Sequence, residues 1–319
     1  PILTAIPTSS SCGSRERGRS PAKAADSSTV RRVRELGNRK AAGAAGEAAA
    51  EVAAAAGSLA GSARALPGSD LTTEMTLFLG SVRNVAEAEI ALLAGADIID
   101  LKDPAQGALG AVGPATTRSV VDLIAGRVLV SATIGDLPMQ SEAIRGAVLE
   151  RASCGVDYVK FGLFPDGDPQ ACFEALRPIA PRVRLILVLF ADVLPNFDAV
   201  AAASDMGAAG IMLDTADKHA GSLLTHLDAS EIGRFVAHAK AQRLMAGLAG
   251  SLSGADVPGL LTLSPDLLGF RGALCRGQRI ASLDSSSCEA IRALIPHIGL
   301  PAETKPSARM TEAAAQALC

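Results

Sequence analysis

Between residues 76 and 296 the chain alternates short, apolar, β-prone runs with Ala-rich segments of helical periodicity. The β-prone runs are 76–81, 97–102, 128–134, 157–163, 184–191, 210–215, 244–250 and 267–273. The helical segments are 84–94, 115–125, 140–154, 169–179, 197–206, 229–242 and 283–296. Regular alternation of this kind is typical of parallel strands joined by helices. The pattern therefore indicates the α/β fold class.

The number of strand–helix units narrows the fold further. Eight units of this combined length predict a (β/α)8 TIM barrel, for which about 250 residues is usual. A doubly wound open sheet is the alternative, but no GxGxxG phosphate loop supports it. We expect a barrel catalytic domain at 75–298, followed by a flexible tail at 299–319.

Residues 1–74 differ in composition from the rest of the chain. They are rich in Ser and Arg, then in Ala and Gly, and they contain no aromatic residue. Such a segment buries too little apolar surface to offset its ordering entropy. We interpret it as a disordered low-complexity extension upstream of a natural start near Met75. A transit peptide is the alternative, which seven acidic residues within the segment disfavour.

Charge and cysteine content exclude several other classes of function. The net charge of −3 disfavours nucleic acid as a partner. No apolar run approaches the roughly 18–20 residues that a membrane span needs. The six cysteines form no CxxC pair and no Cys–His cluster with the spacing of a zinc site, so no metal is predicted. Scattered cysteines of this kind are expected to be reduced thiols in a cytoplasmic protein.

Polar residues recur at the carboxyl ends of the predicted strands, where barrel enzymes place their chemistry. Asp100 and Lys102 are two residues apart and share one face of the second strand. Lys160 holds the matching position in the fourth strand. Asp214 ends the sixth strand, and Lys218 follows it in the loop. If the barrel forms, these five residues meet at one rim.

Clustered lysines suit carbonyl chemistry. Desolvation and neighbouring cations lower the pKa of a lysine, and only the neutral amine attacks an aldehyde. A second lysine then serves as general acid or base, while aspartates orient the ammonium groups. A single lysine at a strand end is usually a solvated cap, and Asp214 alone is equally well a loop residue. The convergence of Lys102 and Lys160, with an aspartate partner, makes a catalytic role as well supported as these structural readings, and both stay open at this point.

A phosphate site is predicted at the ends of strands seven and eight, which read AGSLSG and FRGALCRG. Small residues there expose backbone N–H groups, and barrel enzymes often bind phosphate at this location. The candidates are Gly250, Ser251, Arg271 and Gly272. Arg271 adds a planar fork of donors and, if it faces inward, needs an anion. The alternative is that the two glycines only make tight turns.

Six motifs resemble one known family: ADIIDLKDPAQGALGA, LVSATIGDLP, DYVKFGL, MLDTADKHAGSL, LAGSL and GFRGALCRG. The family is (5-formylfuran-3-yl)methyl phosphate synthase, which belongs to methanofuran biosynthesis and to the related methylofuran cofactor of one-carbon metabolism. The resemblance spans about 76–298 and leaves residues 1–74 without a counterpart. It implies a lyase that condenses two molecules of glyceraldehyde 3-phosphate, with loss of phosphate and water. No metal or other cofactor is implied.

The resemblance also implies roles for single residues. Lys102 matches the lysine that forms the Schiff base, and Lys160 matches the proton acceptor. Asp214 and Lys218 match supporting groups of the site. Two other functions stay open from the residues alone, namely another class I aldolase of sugar phosphates and a non-catalytic phosphometabolite-binding barrel. The sequence also leaves the oligomeric state open, a homo-oligomer included.

Overall fold

The computed structural model describes residues 75–193 and 197–296. The predicted extension at 1–74 and the predicted tail at 299–319 lie outside the described residues. The described residues contain eight strands, each within a predicted run except that β1 extends one residue past its run: β1 Leu77–Val82, β2 Ile98–Leu101, β3 Leu129–Thr133, β4 Tyr158–Gly162, β5 Leu185–Phe190, β6 Gly210–Asp214, β7 Met245–Leu248 and β8 Leu267–Phe270.

The eight strands form one closed parallel barrel in sequence order. β1 closes the ring by pairing with β8, where Leu79 lies opposite Gly269. The predicted (β/α)8 barrel is therefore confirmed. Parallel pairing places all eight carboxyl ends at one mouth of the barrel.

Helices connect the strands on the outside of the barrel. Within the described residues they are α1 Val85–Leu93, α2 Pro114–Ile124, α3 Ser141–Ser153, α4 Pro169–Leu176, α5 Ala199–Met206, α6 Leu223–His226, α7 Ala229–Ala241, α8 Val257–Leu261 and α9 Ser285–Leu294. The sequence pattern predicted no helix after the seventh strand, where α8 lies; five residues are too few to show a helical period. None of the helices in the described ranges has the length and hydropathy that crossing a membrane requires.

The apolar core has two layers, which together account for the strand composition. The larger layer fills the space between strands and helices, and the smaller one fills the barrel interior. β5, with the sequence LILVLF, is buried on both faces and contributes to both layers. Its continuous apolar run is what a fully covered parallel strand requires.

The loop after β2 covers part of the mouth. Gly107 adopts φ +120°, and the next two backbone N–H groups, those of Ala108 and Leu109, donate to the carboxylate of Asp136 at 2.8 and 2.7 Å. A Cβ on Gly107 would lie 2.1 Å from Oδ2 of Asp136, so only glycine fits there. Leu109 is thereby buried in the interior layer of the core. The mouth stays open on the opposite side of the barrel.

Candidate active site

A cavity of about 660 Å³ occupies the open side of the barrel mouth. This volume lies within the range of about 300–1,000 Å³ that is usual for small-molecule sites. All the site residues predicted from the sequence line it, namely Asp100, Lys102, Lys160, Asp214, Lys218, Gly250, Ser251, Arg271 and Gly272. The fold therefore brings together residues that are up to 172 positions apart in the chain.

Asp100 forms the buried floor of the cavity. The barrel register sets Asp100 beside Ser81 of β1 and Ser131 of β3. Both serine hydroxyls donate to its carboxylate, at 2.9 and 2.7 Å. The ammonium group of Lys160 lies 2.7 Å from Oδ1 of the same carboxylate, and both side chains are at most 2% exposed. The neighbours of Asp100 thus stabilise one buried negative charge in a fixed orientation.

Burial lowers the pKa of Lys160 below its ordinary value, because a desolvated ammonium is disfavoured. The carboxylate of Asp100 opposes this shift, and the positive charge of Lys102 adds to it. Lys160 is therefore a lysine that can exist as a neutral amine more readily than a solvated one. A neutral amine is the form that accepts a proton.

Asp214 connects the other two lysines. Lys102, the first residue after β2, donates to Oδ2 of Asp214 at 3.4 Å. Lys218 donates to Oδ1 through a short hydrogen bond, and the backbone N–H of Thr215 donates to the same oxygen at 2.8 Å. One carboxylate therefore positions two ammonium groups on the wall of the cavity.

The pKa values of Asp214 and Lys218 reflect this arrangement. Burial alone would raise the pKa of Asp214, but the charges of Lys218 and Lys102 hold it well below its usual range. Burial lowers the pKa of Lys218 to about 8, with Asp214 opposing the shift and Lys102 adding to it. Asp214 is thus ionised at neutral pH, and Lys218 is poised to exchange a proton near neutral pH.

The loop after β7 presents backbone to the cavity. Gly250 has φ +106° and Ser251 has φ +50°. A Cβ on Gly250 would lie 3.0 Å from Cγ2 of Thr215, so the residue also has a packing reason to be glycine. Among the described residues, no acceptor is hydrogen-bonded to the backbone N–H of Gly250 or Ser251. These two groups are available to an anion in the cavity.

Arg271 makes contacts that its position in the sequence did not predict. Its guanidinium bonds the carboxylate of Glu87, on α1, through both terminal nitrogens. Its remaining N–H groups donate to the backbone carbonyls of Ser81, Arg279 and Ala281. All five donors are therefore used within the protein, so the anion that Arg271 requires is Glu87 and no donor remains for phosphate. The prediction of Arg271 as a direct phosphate ligand is corrected on this ground.

Sequence reasoning missed three residues that shape the site. Ser131 lies in the middle of an apolar strand, Glu87 lies on α1 among buried alanines, and Arg279 lies in the loop after β8. For Glu87, the available signal was a charged residue at an otherwise buried helical position. For Arg279, no local pattern distinguishes it from other loop arginines.

In the described part of the chain, no three His, Cys, Asp or Glu side chains come together as candidate metal ligands.

Comparisons with known proteins agree on one family. The family model described as 4-HFC-P synthase matches residues 78–292. A protein of Methylorubrum extorquens is 42% identical over 220 residues, which cover 67% of this chain and 91% of that protein. The (5-formylfuran-3-yl)methyl phosphate synthase of Archaeoglobus fulgidus is 34% identical over 215 residues, covering 63% of this chain and 91% of that enzyme.

Among solved structures, phosphoribosyl anthranilate isomerase of Thermus thermophilus superposes with a TM-score of 0.51 at 15% identity. The match covers 69% of this chain and 98% of that one. At this identity the likeness concerns the barrel fold alone.

Proposed function

The chain belongs to the 4-HFC-P synthase family and is an enzyme, and from that premise we propose that it condenses two molecules of glyceraldehyde 3-phosphate into (5-formylfuran-3-yl)methyl phosphate. Two C3H7O6P units give C6H7O6P with loss of one phosphoric acid and two waters, so no oxidant or reductant is needed. We place the reaction in the cytoplasm, in the biosynthesis of a methanofuran-type cofactor.

One observation carries the proposal: two lysines of different accessibility share one cavity. The side chain of Lys102 is 7% exposed and that of Lys160 is 2% exposed. Both lysines line the cavity, and the charge of Lys102 contributes to the lowered pKa of Lys160. Lys102 is therefore the more accessible of the two lysines to a substrate aldehyde. We therefore assign the Schiff base to Lys102 and proton abstraction to Lys160.

The first step forms the imine. The Nζ of neutral Lys102 attacks the aldehyde carbon of one substrate molecule, and the resulting carbinolamine loses one water to give a protonated imine. Asp214, whose carboxylate bonds Lys102, stabilises this positive charge. The protonated imine acidifies the neighbouring C–H bond.

The second step uses the buried lysine. Neutral Lys160 accepts the proton from that carbon, and the electrons of the C–H bond move into the imine to give an enamine. Asp100 stabilises the ammonium group that forms on Lys160, and the serines that bond Asp100 keep its carboxylate in place. The enamine carbon then forms the new C–C bond with the second substrate molecule. Loss of phosphate, ring closure and loss of the second water complete the furan and release Lys102.

The charge of the cavity suits two phosphorylated substrates. Four basic side chains line the cavity, those of Lys102, Lys160, Lys218 and Arg279. Two carboxylates line it as well, those of Asp100 and Asp214. The charge of Arg271 is neutralised by Glu87. The cavity therefore carries an excess of two positive charges when all these groups are ionised. Such an excess raises the local concentration of anionic substrate.

The test is borohydride trapping with glyceraldehyde 3-phosphate, followed by intact mass and peptide mapping. We expect a reduced adduct on Lys102 that disappears in Lys102→Ala, and product formation without dihydroxyacetone phosphate. Lys240→Ala is the matched control, because Lys240 pairs with Asp266 away from the cavity. An adduct on Lys160 would exchange the two roles. Binding with neither adduct nor turnover would contradict the proposed function and favour a binding-only barrel.

A further inference from the structure

Arg279 is a cation of the cavity that none of the preceding contacts uses. It lies in the loop between the 3-10 turn Gly272–Leu274 and α9, and it lines the cavity. Within the described ranges of the chain, its guanidinium has no hydrogen-bonding acceptor and no carboxylate partner, although its backbone carbonyl is bonded. Arg279 is half-buried, so its five donors can be reached both by solvent and by an anion in the cavity. An anion that binds in the cavity would supply partners for these donors.

Side chains of two other arginines hold the backbone of the loop that carries Arg279. Arg271 donates to the backbone carbonyls of Arg279 and Ala281, at 2.8 and 2.7 Å. Arg83 donates to the carbonyl of Ile280 at 2.7 Å. Arg83 and Arg271 are both bonded to Glu87. The backbone beneath Arg279 is therefore fixed before any ligand arrives, which lowers the entropic cost of binding.

The position of Arg279 relative to the other charges is also informative. Its positive charge contributes to the lowered pKa of Lys218, and the carboxylate of Asp214 acts on Arg279 in turn. Arg279 and Lys218 line the same cavity, where their charges act on each other. The same cavity contains Gly250 and Ser251, whose backbone N–H groups have no acceptor in the described part of the protein. A guanidinium and two backbone donors together match the oxygens of a phosphate monoester.

We propose that Arg279, together with the backbone N–H groups of Gly250 and Ser251, binds the phosphate group that the substrate keeps through the reaction. This inference rests on the proposed function, in which one of two phosphates is retained and the other is expelled. A retained phosphate needs a permanent cation that gives up no proton, and a guanidinium meets this requirement. A leaving phosphate instead needs a proton donor, and we assign this role to the ammonium group of Lys218.

Binding of glycerol 3-phosphate tests the inference without requiring turnover. This compound carries the same phosphate monoester but has no aldehyde, so it forms no imine. By titration calorimetry we expect Arg279→Gln to weaken its affinity at least 30-fold and Arg279→Lys to restore part of the loss. Arg276→Gln is the matched control, because Arg276 belongs to the same loop but its side chain is 80% exposed and bonded to Asp284. We expect this control to stay within twofold of the wild type.

Three outcomes would overturn the inference: no binding of glycerol 3-phosphate to the wild type at millimolar concentration, equal binding by wild type and Arg279→Gln, or equal loss in Arg276→Gln. Borohydride trapping with unphosphorylated glyceraldehyde separates this failure from failure of the proposed function. We expect Arg279→Gln to be trapped as efficiently as the wild type with that aldehyde. Absence of trapping in the wild type would instead contradict the Schiff-base proposal while leaving the calorimetric result valid.

Product inhibition identifies which phosphate is bound. We expect Arg279→Gln to raise the inhibition constant of (5-formylfuran-3-yl)methyl phosphate at least tenfold and that of inorganic phosphate less than threefold. The reverse pattern would assign Arg279 to the leaving phosphate and overturn the proposal.

Discussion

The ammonium nitrogen of Lys160 lies 2.7 Å from Oδ1 of Asp100, and the two side chains are 2% and 0% exposed. Two effects on the pKa of Lys160 oppose each other in this pair. Burial lowers the pKa, and the negative charge of Asp100 raises it. The structure thus combines a desolvated amine with a nearby counter-charge that stabilises its protonated form.

Asp100→Asn is expected to shift the pH dependence of the reaction. Removing the carboxylate removes the interaction that raises the pKa of Lys160, so this pKa falls further. Lys160 then becomes neutral at a lower pH, and the acid limb of the kcat/KM profile moves toward lower pH. The maximal rate is expected to fall by about 10²–10⁴, the usual contribution of acid–base catalysis, because the ammonium form of Lys160 loses its partner.

The measurement is a pH–rate profile of Asp100→Asn beside one of Asp103→Asn. Asp103 caps the adjacent turn through Ala105 and its side chain is more exposed. We expect its profile to keep the wild-type midpoint. An acid limb that stays in place in Asp100→Asn, or one that moves to higher pH, would contradict the assignment of Lys160 as the base.

The lowered pKa of Lys218 predicts an alkaline limb in the pH–rate profile of the wild-type enzyme. Its pKa is lowered to about 8, so it loses its proton, and with it the capacity to protonate the leaving phosphate, as the pH rises through this value. The rate is therefore expected to decline above about pH 8. Lys218→Arg keeps the positive charge but does not titrate in this range, so its alkaline limb is expected to be absent and its maximal rate lower.

The loss of the alkaline limb is measured by steady-state kinetics of Lys218→Arg between pH 6 and 10. Lys240→Arg is the matched control. Lys240 lies on α7 and is paired with Asp266 at 3.5 Å. We expect the control to retain the wild-type decline. A decline that persists in Lys218→Arg would assign the alkaline limb to another group.

The barrel and the lysine cluster were predictable from the sequence because their signals are local. Each strand is a short apolar run; Lys102 directly follows β2, Asp214 ends β6, and Lys160 lies two residues before the end of β4. The parallel barrel places strand ends together, so local positions were sufficient to predict a shared site.

The environment of Arg271 was not predictable, because its partner Glu87 is 184 residues away in the chain. No local pattern indicates which of the described arginines meets a buried carboxylate. The sequence favoured Arg271 as the phosphate ligand because it lies at the end of the eighth strand, although Arg279 lies eight positions further along and lines the same cavity. That choice depends on which guanidinium already has its donors occupied.

Gly107→Ala is expected to displace the loop that follows Lys102. Gly107 has φ +120°, and its Cβ would lie 2.1 Å from Oδ2 of Asp136. The change therefore breaks the hydrogen bonds that the N–H groups of Ala108 and Leu109 donate to the carboxylate of Asp136, and it imposes an unfavourable backbone conformation. Backbone strain of this kind costs about 1–3 kcal/mol. We expect a decrease of this size in the free energy of unfolding by urea, together with slower imine trapping at Lys102.

Gly113→Ala is the matched control for this substitution. Gly113 ends the same loop, has φ −61°, and its Cβ would meet nothing within 4 Å. Its unfolding free energy is expected to stay within about 0.5 kcal/mol of the wild type. Equal effects of the two substitutions would contradict the role of Asp136 in holding the loop.

Glu87→Gln is expected to be the most destabilising of these single substitutions. The carboxylate of Glu87 bonds both terminal nitrogens of Arg271, and the two side chains are 3% and 4% exposed. Losing the negative charge leaves a buried guanidinium without its counter-ion, which typically costs about 3–5 kcal/mol. A neutral amide retains one acceptor oxygen, so we expect a decrease near the lower end of that range in urea unfolding.

Two further variants distinguish an ion-pair effect from a packing effect. Glu89→Gln makes the same change on the same helix at an exposed position, and it is expected to stay within about 0.5 kcal/mol of the wild type. Combining Glu87→Gln with Arg271→Met removes the uncompensated charge, so the double variant is expected to unfold at a higher urea concentration than Glu87→Gln alone. Its KM for glyceraldehyde 3-phosphate is still expected to be raised more than its kcat is lowered, because Arg271 no longer holds the carbonyl of Arg279. Recovered stability with an unchanged KM would show that the loop keeps its position without Arg271.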